Sequence, residues 1–295
     1  MKKSIFRGVG TALVTPFSDG KIDYDALERL IEGQIEAKIS ALIIGGTTGE
    51  AATLSDEERY ELYAFCKERI DGRCAMVLGT GTNDTEVAIR HTKYAEDLGC
   101  DGALLVTPYY NKGTDRGVIE HYKKIAKSTS LPLILYNVPS RTGVNMSRQM
   151  LESLSEVENI VGIKEAADSA DRLVDIAAMG DKLRLFAGND SQLFTALSLG
   201  GDGVISVVSN LVPKQMMNIY DHFCEGNLSA AREAQISLLP LIHAMFIETN
   251  PAPIKYAMAR VGLCRSEVRL PLFEVSDGAK KIIDDAIFCK NHLNI

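Results

Sequence analysis

Up to residue 210 the chain carries eight short apolar runs, each bounded by glycine, proline or polar residues. They are GVGTALVTP (8–16), ALIIGG (41–46), AMVLGTG (75–81), GALLVTP (102–108), PLILYNVP (132–139), NIVGIKEA (159–166), LRLFAGND (183–190) and GVISVVSN (203–210). Their apolar residues run on without alternation, as in strands buried on both faces. The segments between them have helical periodicity: 23–38, 55–70, 85–99, 117–128, 147–157, 171–180 and 190–200. Ser55 three residues before Glu58 predicts a capping box, and Gly99 and Gly200 predict helix stops.

Eight strand-helix repeats predict an α/β fold, a (β/α)8 TIM barrel of parallel strands covered by helices. A doubly wound open sheet is the alternative; the count of eight and the lack of a dinucleotide fingerprint after the first run weigh against it. Beyond residue 210 the pattern is helical only, over 212–226, 228–248, 252–262 and 277–292. The expected division is a catalytic barrel over 1–225 and a C-terminal helical region over 226–295, with no Pro/Ser-rich linker between them.

Composition narrows the function. A 295-residue chain with 46% hydrophobic and 24% charged residues can bury a large core. A net charge of −7 without a dense Lys/Arg cluster argues against nucleic acid or an anionic membrane surface as partner. Small molecules or other protein chains are expected instead. The start, MKKSIFRGVGTALVTP, lacks a signal-peptide apolar core, and no apolar stretch approaches the ~18 residues of a membrane span. Six cysteines (66, 74, 100, 224, 264, 289) show no CxxC spacing and read as reduced thiols of a cytoplasmic protein. Five dispersed histidines give no metal-ligand pattern, so neither a metal nor a cofactor is expected.

In a parallel barrel the chemistry sits at the carboxyl ends of the strands. Lys164 is the lone lysine among those ends. Enclosure favours the neutral form of an amine, and a neutral amine beside a phenol suits Schiff-base chemistry with a carbonyl. The competing reading is a buried ion pair with Glu165 or another carboxylate. Tyr136, ending the fifth run, could shuttle a proton or could simply be a core aromatic. GGTTGE offers backbone N–H groups and two hydroxyls to an anion, either a phosphate or a carboxylate; GxxxxGK[ST] is absent. GTGTN (79–83) lacks the third glycine of GxGxxG and reads as a turn.

GTTGEAATL, VTPYYN, YNVPSRTG, GIKEA, GVISV and TNPAPIK occur in this order along the chain. Together they resemble the dihydrodipicolinate synthase family of pyruvate-dependent class I aldolases, relatives of N-acetylneuraminate lyase. The resemblance implies condensation of pyruvate with L-aspartate 4-semialdehyde to 4-hydroxy-tetrahydrodipicolinate, in the diaminopimelate/lysine branch. Lys164 matches the imine-forming lysine, Tyr136 the proton-shuttling phenol and Thr47 the hydroxyl linking it to a second tyrosine. Tyr110 matches that tyrosine, lent by the neighbouring subunit of a homotetramer built as a dimer of dimers. Thr48 matches the holder of the pyruvate carboxylate, and Ile205 a residue whose carbonyl faces the keto acid. Gly188 joins the substrate-binding set. Arg141 matches the guanidinium that receives the carboxylate of the aldehyde, which disfavours the alternative, a lyase of N-acetylneuraminate or 2-keto-3-deoxy sugar acids. A barrel that only binds a keto acid would be expected to have lost members of this set. At the lysine-inhibition site of some relatives this chain departs, with Asp56 for a histidine and Val87 for a glutamate, although Asn83 and Tyr109 remain; weak or absent feedback is implied.

Overall fold

The eight apolar runs form the strands β1 (Gly8–Ala12), β2 (Ala41–Ile44), β3 (Ala75–Gly79), β4 (Gly102–Val106), β5 (Leu133–Asn137), β6 (Ile160–Glu165), β7 (Arg184–Ala187) and β8 (Gly203–Ser206). In this computed structural model, which describes residues 2–288, they close into a barrel in sequence order. The expected TIM barrel with a C-terminal helical part is thus the observed fold. The helices are α1 (Tyr24–Glu36), α2 (Asp56–Ile70), α3 (Thr85–Asp97), α4 (Asp115–Lys127), α5 (Pro139–Thr142), α6 (Arg148–Ser155), α7 (Ala170–Ala177), α8 (Leu193–Ser198), α9 (Pro213–Cys224), α10 (Leu228–Ser237), α11 (Leu239–Ala244), α12 (Ala252–Arg260) and α13 (Asp277–Phe288).

Local signals set the helix ends. Ser55 and Glu58 form the reciprocal capping box that opens α2, satisfying two backbone donors of its first turn. Gly99 and Gly200 take φ values of 72° and 81°, the left-handed geometry that stops a helix. The periodic stretch 228–248, read from sequence as one helix, is two. Pro240 lacks an N–H and would drive its ring against the Ile236 carbonyl, so the chain breaks at Leu238. Asp19 and Gly20, at φ 55° and 80°, turn a two-stranded ribbon of Phe17–Ser18 and Lys21–Ile22 that no periodicity could reveal in strands of two residues.

The chain divides into two compact units. One contains the residues up to Gly8 together with Ala75–Ile205. Its strands pair in register: Tyr136 opposite Lys164, Asn137 opposite Glu165, and Lys164 opposite Phe186. The ammonium of Lys2 donates to the carbonyls of Ser155, Val157 and Ile160 at 2.6, 2.7 and 2.5 Å. The cation thus ties the last residue of α6 to the loop after it and to the first residue of β6.

His121 on α4 is buried in the same unit, its Nδ1 2.9 Å from the Thr85 hydroxyl and its ring edge-on to Tyr122. Burial holds the imidazole down to about 4, against the pull of Asp84. An unfolded chain takes up this proton below 6.5 and the folded one only near 4, so falling pH favours unfolding across that window. The loss amounts to about 3 kcal/mol by its lower end. In His121→Gln, which keeps a hydrogen-bonding side chain but cannot titrate, the fall in urea-unfolding free energy from pH 7 to 4.5 should be smaller by about 2 kcal/mol. An unchanged fall would contradict the assignment.

The other unit contains Val9–Cys74 and the described residues from Ser206 onward. Thr11 donates to Gln34 of α1 at 2.7 Å, and Asn210 donates to the Ala12 carbonyl at 2.8 Å and accepts from the Val14 N–H at 3.1 Å. These bonds satisfy buried polar atoms while fixing the carboxyl end of β1. Beyond Ser206 the described residues contain helices and no strand. Cysteines 66, 74, 100, 224 and 264 are free thiols. Cys289 and His292, the latter ending the helix expected over 277–292, lie outside the described residues. Among the described residues no helix is long and apolar enough to cross a membrane.

Candidate active site

β6 delivers Lys164 and Glu165 to opposite faces, because successive side chains of a strand alternate. Lys164 is 5% exposed, and its Nζ stands 4.3 Å from the ring centroid of Tyr136, its register partner on β5. The ion pair with Glu165 that the sequence left open is not formed. That carboxylate accepts instead from Asn137, from the Ala167 N–H and from Arg172. Tyr136 is held by its own backbone: its carbonyl accepts from both the N–H and the hydroxyl of Thr107, each at 3.0 Å. An amine and the ring of a phenol are therefore packed together inside the unit.

Other expected site residues stand on the same unit. Arg141 is exposed on the one-turn helix α5, which Pro139 starts and Gly143, at φ 67°, ends. Gly188 follows β7, and its N–H donates to the Glu165 carbonyl at 2.6 Å. A Cβ there would sit 2.7 Å from that same oxygen and 2.5 Å from the Ala166 Cβ, so no larger residue fits. Ile205 is fully buried on β8. Tyr110 departs from the rest: it is 90% exposed and held at φ 69°, a strained conformation for a bulky side chain. Its loop is tied to the GTGTN turn through Asn111, which donates to the Asn83 carbonyl at 3.0 Å.

Thr47 and Thr48 belong to the other unit, on the turn after β2. Gly45 opens the turn at φ 66°, where any Cβ would run into the Tyr63 phenol. Thr47 is half-buried and Thr48 buried, its hydroxyl accepting from Asn250 Nδ2 at 3.0 Å. Glu50, at φ 53°, closes the turn, and its N–H donates to the Thr47 carbonyl at 3.1 Å. Its carboxylate is fully buried against Lys255 Nζ at 2.7 Å and accepts from the Arg269 N–H at 2.9 Å. Lys255 also donates to the Thr15 carbonyl at 2.9 Å. Burial lowers its proton affinity, and Glu50 opposes that. The run TNPAPIK thus anchors the GTTGE turn through Asn250 and Lys255, and Asn137, Glu165 and Arg172 form a second cluster. Sequence reasoning gave neither a role; the one available signal was polar residues in otherwise apolar runs. Among the described residues no group of three or more His, Cys, Asp or Glu side chains is placed to hold a metal ion.

The sequence pattern of the Dihydrodipicolinate synthetase family matches residues 5–288. The 4-hydroxy-tetrahydrodipicolinate synthase of Alkaliphilus oremlandii is 45% identical over 283 residues, covering 95% of this chain and 98% of its own. The crystal structure of dihydrodipicolinate synthase from Thermotoga maritima superposes with a TM-score of 0.94 at 42% identity, covering 96% and 98% of the two chains. A structure described as the first monomeric dihydrodipicolinate synthase variant gives a TM-score of 0.92 at 42% identity, covering 96% of each chain. With a matched pattern spanning nearly its whole length and a relative at 45% identity, this chain belongs to the dihydrodipicolinate synthase family.

Proposed function

We propose that this chain condenses pyruvate with L-aspartate 4-semialdehyde through an imine on Lys164, giving 4-hydroxy-tetrahydrodipicolinate. The observation that carries the reading is the buried Lys164 amine over the Tyr136 ring. Nζ adds to the C2 carbonyl of pyruvate, and the carbinolamine hydroxyl leaves as water when Tyr136 supplies a proton. Loss of a methyl proton from the imine gives an enamine, whose carbon attacks the aldehyde and forms the new C–C bond. The amino nitrogen of the aldehyde substrate then displaces Lys164 from C2, closing the ring and freeing the enzyme. No metal or cofactor is required for these steps.

Thr47 carries the proton between Tyr136 and Tyr110 in this reading, and Tyr110 comes from the neighbouring subunit of a homotetramer. Its exposure and strained backbone support that role, since a side chain turned out to solvent is available to another chain. Thr48 holds the pyruvate carboxylate, with Ile205 and Gly188 lining its position. Arg141, whose planar fork suits a carboxylate, receives that of the aldehyde. The catalytic barrel gives way to the C-terminal helical region at residues 225 and 226. Free thiols are in keeping with a cytoplasmic location. Asp56 and Val87 make lysine feedback weak or absent.

Borohydride reduction in the presence of pyruvate, followed by intact mass and peptide mapping, tests the reading; an adduct on Lys164 is expected, and its absence would defeat the mechanism. Arg141→Ala should trap pyruvate within about twofold of the unaltered protein and lose about 100-fold in kcat/KM for the aldehyde, the scale of losing a charge-assisted bidentate contact. Equal damage to both steps would refute the role of Arg141.

A further inference from the structure

One residue beyond the reactive pair, on each of the same two strands, lies a buried polar cluster. Glu165 and Asn137 are both fully buried. The Asn137 amide donates to both carboxylate oxygens of Glu165, at 2.8 and 3.0 Å, and to Asn145 Oδ1 at 2.8 Å. Its Oδ1 accepts from the Met146 N–H at 3.0 Å. Glu165 also accepts from the Ala167 N–H at 2.8 Å and from Arg172 at 3.2 Å, and Arg172 donates in turn to the Met146 carbonyl at 2.8 Å. The backbone of the same residues adds two links: Ala166 N–H to the Asn137 carbonyl at 2.9 Å, and Gly188 N–H to the Glu165 carbonyl at 2.6 Å.

A buried carboxylate in this position is expensive unless it is fully satisfied, and general stability does not call for one. What the cluster fixes is specific. It joins the ends of β5 and β6 one residue past Tyr136 and Lys164, which are themselves opposite in register. It also tethers residues 145 and 146, just after the α5 turn that bears Arg141, and it holds Gly188.

We propose that Glu165, through Asn137, is a positioning residue that fixes the separation of the Lys164 amine and the Tyr136 phenol during proton transfer. The proposal rests on the reading of Lys164 and Tyr136 as the reacting pair. Because the two pairs are consecutive along the same two strands, a shift of Glu165 relative to Asn137 is a shift of the Lys164 backbone relative to that of Tyr136. Displacement of about 1 Å in such a pair lowers rates by about a hundredfold.

Glu165→Gln keeps the shape but turns one acceptor into a donor that faces the N–H groups of Asn137 or Arg172. The measurements are steady-state kinetics per folded molecule and borohydride trapping with pyruvate. The expected result is an adduct on Lys164 in both proteins, KM for pyruvate within about twofold, and kcat lower by about tenfold to a hundredfold. A role limited to stability would lower the melting temperature and leave kcat unmoved. The exchanged pair Asn137→Asp/Glu165→Gln restores a donor opposite an acceptor, with the Asn145 amide turned to present its nitrogen to the new carboxylate, and should raise kcat at least about fivefold above Glu165→Gln. Should Glu165→Gln not fold, Arg172→Met at the partly exposed rim takes the same readout, with a several-fold fall in kcat at unchanged KM. An unchanged kcat in the variant that folds, or no recovery in the exchanged pair, overturns the proposal. Failure of the unaltered protein to trap pyruvate would instead overturn the reading of Lys164 beneath it.

Discussion

Lys164→Ala should fold with nearly the parental melting temperature and lose turnover by a factor on the order of 10⁴–10⁶, the scale seen when a covalent nucleophile is removed. The two halves of this expectation have separate physical grounds. The amine is 5% exposed, and the partner that the structure gives it is the Tyr136 ring at 4.3 Å. A cation over a ring contributes about 1–2 kcal/mol when desolvated, and the desolvation of the amine works against it. Truncation leaves no buried carboxylate unpaired, since Glu165 is satisfied by Asn137, Ala167 and Arg172. Stability should therefore change by no more than about 1 kcal/mol. Catalysis has no such reserve, because no other described lysine stands at the end of a barrel strand. Melting curves and turnover with pyruvate and aspartate semialdehyde, taken on one preparation, decide the matter. A variant that unfolds, or one that retains more than about a hundredth of parental activity, would reassign Lys164 to a structural role.

The contrast between Lys164 and Glu165 shows how far the sequence could be read. Eight unbroken apolar runs were enough for the barrel, because a strand buried on both faces leaves that signature and little else does. Lys164 and Tyr136 could be singled out as candidates for the same reason: a polar group ending an apolar run at the carboxyl ends of the strands stands out against its surroundings. Glu165 and Asn137 end the same runs, yet their hydrogen bonds depend on what meets them from elsewhere in the chain. Asn145, Met146 and Arg172 lie 8 to 9 and 7 residues away in chain order, and no periodicity records that meeting. The Phe17–Ile22 ribbon escaped because strands of two residues carry no alternation. Pro240, by contrast, was visible in 228–248, and the helix break follows from its missing N–H. The pairing of Lys255 with Glu50 spans 205 residues and is legible only in three dimensions.

Lys255→Met should destabilise the fold by about 3–5 kcal/mol, the scale of breaking a buried ion pair by removing one partner. Methionine keeps most of the stem of the lysine, so packing changes little and the loss is that of the charge. What remains is the Glu50 carboxylate, fully buried and deprived of the ammonium 2.7 Å away, with the Arg269 N–H as its other donor. The Thr15 carbonyl also loses its donor, and the Phe17 ring loses one of the two cations packed against it. The pair is not itself a large source of stability, because taking both charges out of water costs about as much as their attraction returns. Removing both charges should therefore do less harm than removing one: Glu50→Gln/Lys255→Met should recover at least half of the loss. Activity should separate the two variants from one another. Glu50 closes the turn that carries Thr47 and Thr48, and Asn250, five residues before Lys255, bonds the Thr48 hydroxyl. A double variant that regains stability but has a raised KM for pyruvate would show that the charged pair shapes the GTTGE turn as well as holding it in place. If the single variant were as stable as the parent by urea unfolding, Glu50 would have to find another partner, and the anchor described for the GTTGE turn would be wrong.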